Sequence, residues 1–394
     1  MTRHTIPLIR IAGIPVGVDY SWFLIFVLLT WMLAVNHFPA EFPAWAPSLC
    51  WLVGAATAIL FFVSVLLHEL GHSWVALRYK IPVRSITLFI FGGVAQIGAE
   101  APSAGAEFSI AIAGPLVSFA LAGLFYTLQI AASGVQPLYG LAKYLAYINL
   151  VLAAFNLVPG YPLDGGRVFR AVVWAVTHDM QRATLIAASV GRGFGFLFIV
   201  VGVWQMFGGN LVGGLWIAFI GWFLESAAAA QAVQVVFRGA LAGYTVKQAM
   251  SGDCPTVEAG VTLQQLVDER ILGAGQRCFL VDRGGETVGL LTLSRVKQVA
   301  RSDWATMTAG EAMLPLEDSK RVGPDTELAA AVQLMDRAGL SQAPVVSNGR
   351  VIGLVTREGV VAFLATLQEL GLDSAKAATV REDPQRALPG ISER

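Results

Sequence analysis

Charge is the scarcest property of this chain. Asp, Glu, Lys and Arg together make up 14% of its 394 residues, against about 25% in ordinary soluble domains. Such a chain must bury an unusual share of itself or lie in a bilayer, and a mean hydropathy of +0.63 points the same way. A basic excess is missing too: 27 Lys plus Arg balance 27 Asp plus Glu, so there is no electrostatic footprint for nucleic acid. Cysteine is nearly absent. Cys50, Cys254 and Cys278 are odd in number and never in C-x-x-C spacing, which argues against a disulfide framework and against a cysteine metal site. Histidine is rare, at five. No small-residue cleavage site follows the first apolar stretch, which is therefore expected to remain as a span.

What is present is a series of charge-poor runs that stops near residue 228. Six candidate spans fall at about 20–36, 50–77, 107–131, 141–160, 190–207 and 211–228, each near the roughly 17–25 residues a membrane-crossing helix needs. Arg3 and Arg10 precede the first span, Arg78, Lys80 and Arg84 follow the second, Arg167, Arg170, Arg182 and Arg192 precede the fifth, and Arg238 follows the sixth. The intervening loop HFPAEFPAWAPS carries no Lys or Arg, nor does ASGVQPLYG, although Lys143 lies just beyond it. This alternation puts both termini of a multi-pass membrane protein in the cytoplasm.

Beyond residue 240 the composition becomes that of a soluble α/β protein containing an internal repeat. Ala249-Met250 is echoed by Ala312-Met313 and Gly289 by Gly353, a period of roughly 63 to 64 residues and too long for a solenoid. Each copy reads as strand, helix, two strands across a glycine turn, and helix. The expected organisation is a membrane domain over 1–228, a linker helix over 229–243, and a repeated pair over 244–371 with copies at about 244–305 and 306–371. A polar, proline-containing tail over 372–394 is expected to be disordered.

Polar chemistry appears where the chain otherwise excludes it. In FVSVLLHELGHSW, residues 61–73, His68 and His72 are four apart and share a helix face, so both can reach one metal ion. Glu69 can poise a metal-bound water beside them. Ionisable groups inside a span are rare and are functional candidates; otherwise the two imidazoles make ordinary hydrogen bonds. A catalytic zinc of this kind needs a third protein ligand. Asp164, in NLVPGYPLDGG, reads in isolation as an N-cap for the helix that follows. At the same topological depth as the histidines, it is the better candidate for that ligand. Asn149 and Asn156 share a face of the fourth span; interhelical bonding accounts for Asn149. Asn156 is expected near the metal, holding the substrate carbonyl or stabilising an oxyanion. The segment SITLFIFGGVAQIGA, residues 85–99, is too short to span and rich in strand formers, and reads as a hairpin or re-entrant segment. Either it is a packing loop, or its edge binds a substrate in extended form.

Together HELGH, FGGVA, AGPLVSF (113–119) and NLVPGYPLDGG resemble the site-2 protease family of intramembrane zinc metalloproteases, specifically the prokaryotic branch with C-terminal tandem CBS domains. GIPVGVDYSWFL resembles the approach to that family's first span, except that relatives often carry a histidine near the position of Asp19. The resemblance implies a polytopic α-helical membrane domain of about six spans followed by a cytosolic α/β tandem CBS pair. It implies one zinc ion per chain held by His68, His72 and Asp164, with Glu69 as catalytic base. It also implies Asn156 and Pro162 at the active site, and Phe91, Gly92, Gly93 and Val94 presenting a transmembrane protein substrate from the lipid bilayer. The CBS pair is expected to regulate or dimerise the chain, with a homodimer as the form it allows. Ribose-binding CBS copies usually have Thr-x-x-Asp; here Thr292 is followed by Arg295 and Thr356 by Gly359, so adenine nucleotide is not expected. The competing functions are a CBS-gated transporter or channel, a catalytically inactive scaffold, and a zinc hydrolase acting on lipid.

Overall fold

The computed structural model describes residues 5–90, 92–252, 255–276, 278–316, 320–348 and 350–370; the 372–394 segment lies outside them. The chain divides into two compact units, Met1–Val235 and Val236–Arg394.

The N-terminal unit opens with a hairpin of β1 (Thr5–Ile11) and β2 (Ile14–Asp19), closed by Ala12 and Gly13, both at positive φ as a tight hairpin turn requires. The Asp19 carboxylate then accepts from Ser21 N at 3.0 Å, capping α1 (Tyr20–Met32). A π-helical turn over Leu33–His37 carries the same span into α2 (Phe38–Glu41). The long helix α3 (Pro47–Arg78) follows, then β3 (Val83–Phe89) and β4 (Gly92–Ile97). The remaining helices are α4 (Ala104–Ala131), α5 (Gln136–Asn156), α6 (Asp164–Thr177), α7 (Met180–Phe207) and α8 (Leu211–Leu241).

Six helical stretches among the described residues are long and apolar enough to cross a membrane: Tyr20–Glu41, α3, α4, α5, α7 and α8. They match the six expected spans in order. Several are longer than expected because their polar end turns are helical. The fourth is shifted toward the N-terminus, starting at Gln136 and closing at Asn156 just ahead of Pro159 and Pro162. Their apolar outer faces carry Phe196, Trp204 and Phe207, which are 64%, 76% and 87% exposed and suited to lipid. The expected 229–243 linker is largely the C-terminal part of α8, which runs on to Leu241.

The 85–99 segment forms the antiparallel β3–β4 pair, with Leu88 opposite Gly93 and Ile86 opposite Ala95. It belongs to a larger sheet of order β1-β2-β3-β4, in which β2 and β3 run parallel. Val16, Val18, Ile86 and Leu88 turn inward against Val65, Leu66 and Leu70 of α3. This packing lays β4, an edge strand, alongside the helix that carries HELGH.

The C-terminal unit runs α9 (Val246–Ala249), β5 (Thr256–Glu258), α10 (Leu263–Gln265) with a π-helical continuation to Leu272, β6 (Cys278–Arg283), β7 (Glu286–Thr292) and α11 (Leu293–Val296). It continues with α12 (Ala309–Ala312), β8 (Leu314–Pro315), α13 (Leu328–Ala338), β9 (Gln342–Ser347), β10 (Arg350–Thr356) and α14 (Arg357–Glu369). The repeat is real, but the copies exchange their first segments. Val246 and Ala249 of α9 pack in the core of Leu328, Met335, Val345 and Val355. Ala309 and Ala312 of α12 pack with Leu263, Phe279 and Leu291. Strand pairing repeats the exchange: β8 lies on β7, and Ser251 bridges to Leu354. Both α9 and α12 start with a capping box, Thr245 with Gln248 and Thr308 with Glu311, which fixes each exchanged helix start locally.

Candidate metal centre

Three ligand atoms from two distant parts of the sequence converge. His68 and His72 project from one face of α3, while Asp164 is the first residue of α6. Asp164 Oδ2 lies 3.0 Å from His68 Nε2 and 3.2 Å from His72 Nε2, and the two Nε2 atoms are 3.2 Å apart. Both histidines are 4% exposed. This is the one group of three His, Cys, Asp or Glu side chains with metal-holding geometry among the described residues. The N-cap reading of Asp164 does not hold: Leu163 occupies that position, with no side-chain cap bond, and the carboxylate turns to the imidazoles. Gly165 and Gly166 permit this, because a Cβ at either would strike the backbone of the Leu157–Tyr161 turn.

The other ring nitrogens settle what the cluster can do. His72 Nδ1 is 2.7 Å from the Ile110 carbonyl, which can only accept, so Nδ1 carries the proton and Nε2 of the neutral ring presents a lone pair. His68 Nδ1 is 2.8 Å from Ser118 Oγ, and Ser118 is fully buried. Ser118 Oγ can accept from the same nitrogen of His68, and in that tautomer two imidazole lone pairs and a carboxylate oxygen converge on one point, an arrangement that a cation satisfies. A zinc ion with bonds of about 2.0–2.1 Å to tetrahedral ligands sets ligand separations near 3.4 Å, close to those found. The opposite wall is Gly114 of α4, where a Cβ would come within 2.6 Å of His68 Nε2 and closer still to His72 Nε2. Backbone without a side chain leaves a cradle there, and the donor set fits zinc.

Glu69, one residue from His68, points differently. Its Oε2 accepts from Ala95 N at 3.1 Å, and a Cβ at Gly93 would press on Glu69 Cγ. Ala95 N–H is thus directed away from β3, on the open edge of β4. Gly92, Gly93 and Val94 lie on this strand, with Val94 45% exposed; Phe91 lies outside the described residues. Asn156 ends α5, Pro162 sits in the turn before Asp164, and neither contributes a ligand atom to the cluster. Asn149 bonds Ser64 Oγ at 3.3 Å and the Leu145 carbonyl at 2.8 Å, the interhelical role expected of it. Among the other histidines, His37 pairs with Glu41 at 3.5 Å and His178 forms the C-cap of α6; His4 lies outside the described residues.

Sequence reasoning missed Gly114 and Ser118, although both fall in AGPLVSF. Glu107, the Ile110 carbonyl, Gly114 and Ser118 recur at three and four residues and share one face of α4. That spacing, together with Pro115 inside a span, was the available signal. Ser118→Ala is expected to lower zinc affinity by about 10–100-fold, the usual cost of losing an outer-shell partner. Competition with a chromophoric chelator measures this, and unchanged affinity would mean that packing alone orients His68.

In the C-terminal unit a cavity between the two copies is lined by Thr292, Arg295, Gln298, Lys320, Ser341 and Gln342, among others, with no carboxylate among the described residues that line it. Thr292 and Thr356 spend their hydroxyls as N-caps, accepting from Arg295 N at 3.3 Å and Gly359 N at 2.9 Å.

Residues 56–143 and 135–200 match Peptidase family M50, and residues 310–366 match the CBS domain. Rip3 of Mycobacterium tuberculosis H37Rv is 37% identical over 389 residues, 98% of each chain. sll0528 of Synechocystis is 36% identical over 360 residues, 90% of this chain and 94% of its own. Both bear zinc-metalloprotease names. A solved structure, the site-2 protease from Methanocaldococcus jannaschii, is 29% identical and covers 58% of this chain and 95% of its own, with a TM-score of 0.40. The chain belongs to the M50, or site-2 protease, family: it is a multi-pass zinc metalloprotease whose six membrane helices precede a tandem CBS pair.

Proposed function

We propose that this protease cuts transmembrane segments of other membrane proteins within the bilayer, with His68, His72 and Asp164 holding zinc and Glu69 moving the proton. The observation that carries this is the Glu69–Ala95 bond, which joins the one carboxylate beside the ligands to the open edge of β4. A helix hides its carbonyls in internal hydrogen bonds, so a transmembrane substrate must be unwound before it can be cut. Added as a strand to β4, it pairs through main-chain groups of Gly93 and its neighbours, and a peptide carbonyl arrives beside Glu69. Zinc bound at the site supplies a Lewis acid for that carbonyl and for water. Glu69 takes the proton from the attacking water and passes it to the leaving amine. Asn156 holds the substrate carbonyl or its oxyanion, and Pro162 shapes the turn that delivers Asp164. The buried cluster lies in a span because the scissile bond does.

The basic loops orient the chain with both termini and the CBS pair in the cytoplasm, the membrane domain extending to about 228 and the pair occupying about 244–371. The pair acts as a regulatory or dimerising module, and the lack of the Thr-x-x-Asp carboxylate after Thr292 and Thr356 does not favour an adenosine ribose. To test the reading, protein N-termini are compared in host membranes expressing wild type and Glu69→Gln. New termini inside transmembrane segments, seen only with wild type, are expected. Identical profiles from folded, zinc-loaded proteins would favour a scaffold, and identical profiles from a protein without zinc would end the protease reading.

A further inference from the structure

Beneath the ligand cluster lies a second set of buried charges with no part in the proton chemistry. Glu107, on the α4 face that also carries Gly114 and Ser118, is 1% exposed. Its Oε1 accepts from Arg167 Nε at 2.9 Å and from Arg170 Nη2. Arg170 is itself 9% exposed, and its guanidinium lies 5.4 Å from the centre of the Tyr161 ring. Both arginines belong to α6, the helix that begins at Asp164. The four groups Glu107, Arg167, Arg170 and Asp164 sum to zero charge, but they are partitioned. Glu107 takes both guanidiniums, while Asp164 faces the histidines.

Residues three apart on a helix are neighbours, and an Asp–Arg pair at that spacing forms readily. Arg167 is three residues after Asp164, and in a buried setting an unpaired guanidinium draws in the nearest carboxylate. With Glu107 absent, that carboxylate is Asp164. We propose that Glu107 is a positioning residue: by occupying Arg167, the guanidinium three residues from Asp164, it leaves the Asp164 carboxylate available to zinc. Glu107 thus acts on the metal through a competition between two carboxylates, without touching it. The inference rests on Asp164 being the third zinc ligand.

The test is zinc affinity of the full chain in detergent, by chelator competition on folded protein, for Glu107→Gln, Arg167→Gln, the double variant and Asp164→Asn. The expected result is a loss of about 10–100-fold in Glu107→Gln, the range for outer-shell partners, and its restoration when Arg167→Gln is added. Arg167→Gln alone is expected to bind zinc as wild type does, which keeps the proposal testable should Glu107→Gln fail to fold. A brace that merely joins α4 to α6 predicts the reverse: Arg167→Gln weakens binding by itself, and the double variant binds no better than Glu107→Gln. Either of those results overturns the proposal, as does unchanged affinity in Glu107→Gln when Asp164→Asn binds weakly. If Asp164→Asn binds as wild type, the ligand assignment beneath the proposal fails instead.

Discussion

Purified Glu69→Gln is expected to hydrolyse a transmembrane peptide about 10²–10⁴-fold more slowly than wild type, the span attributed to a positioned acid–base group, while retaining wild-type zinc content. Glutamine keeps the length of the side chain, and its amide oxygen can still accept from Ala95 N, so the contact with β4 survives. What is lost is the group that holds a proton between water and amine. Glu69 supplies no ligand atom, the three that converge being those of His68, His72 and Asp164, so metal binding is expected to persist. The effect therefore belongs in kcat, with KM little changed. Cleavage rates with a labelled peptide and metal analysis of the same preparation check both halves. A variant that keeps its rate would remove Glu69 from the proton path, and one that loses zinc would make it a structural part of the metal site.

How much of this was legible depended on whether the information was local. His68 and His72 were readable because helical spacing alone puts residues four apart on one face. Glu69 followed from its place beside them. Asp164 is 96 residues from His68, and the basic loops supplied only its depth. Its first-turn position and the bare backbone of Gly165 and Gly166, which let it face the histidines, are tertiary facts. The 85–99 segment was readable as a hairpin from its strand formers and Gly92-Gly93. Its partner hairpin, Thr5–Asp19, was not recognised: it runs straight into the first span, and its Ala12-Gly13 turn lacks the Asn or Asp that marks such turns. The repeat period identified two equivalent copies, but similarity between copies carries no information about which copy each first segment packs against. Burial of Val246 with Leu328 rather than Leu263 is visible only in the fold. Gly114 escaped for a different reason. A small residue inside a span ordinarily means close helix packing, and nothing local separates that use from a cradle for a metal.

Gly114→Ala separates the two uses, and it is expected to abolish zinc binding while leaving the protein folded. Alanine in a helix interior is ordinarily favoured over glycine by about 0.8–1.0 kcal/mol, which works against the crowding that Pro115 imposes on a Cβ at the position before it. The new methyl group, however, would lie within 2.6 Å of His68 Nε2 and nearer to His72 Nε2. That is close to the bond length of about 2.0–2.1 Å at which a zinc ion sits from such nitrogens, so carbon and metal compete for one volume. A Cβ is fixed to the backbone and cannot turn aside; α3 and α4 would have to separate. Separation would give up the close packing of the two helices at Gly71, where a Cβ would meet the Ala113 carbonyl at 3.1 Å. Gly123→Ala on the same helix, where nothing lies within 4 Å, serves as control and is expected to keep both zinc and activity. Metal content and helical circular dichroism of the two variants decide the matter. Normal zinc in Gly114→Ala would place the ion on the far side of the histidine pair from α4, and loss of helix would return Gly114 to a packing role.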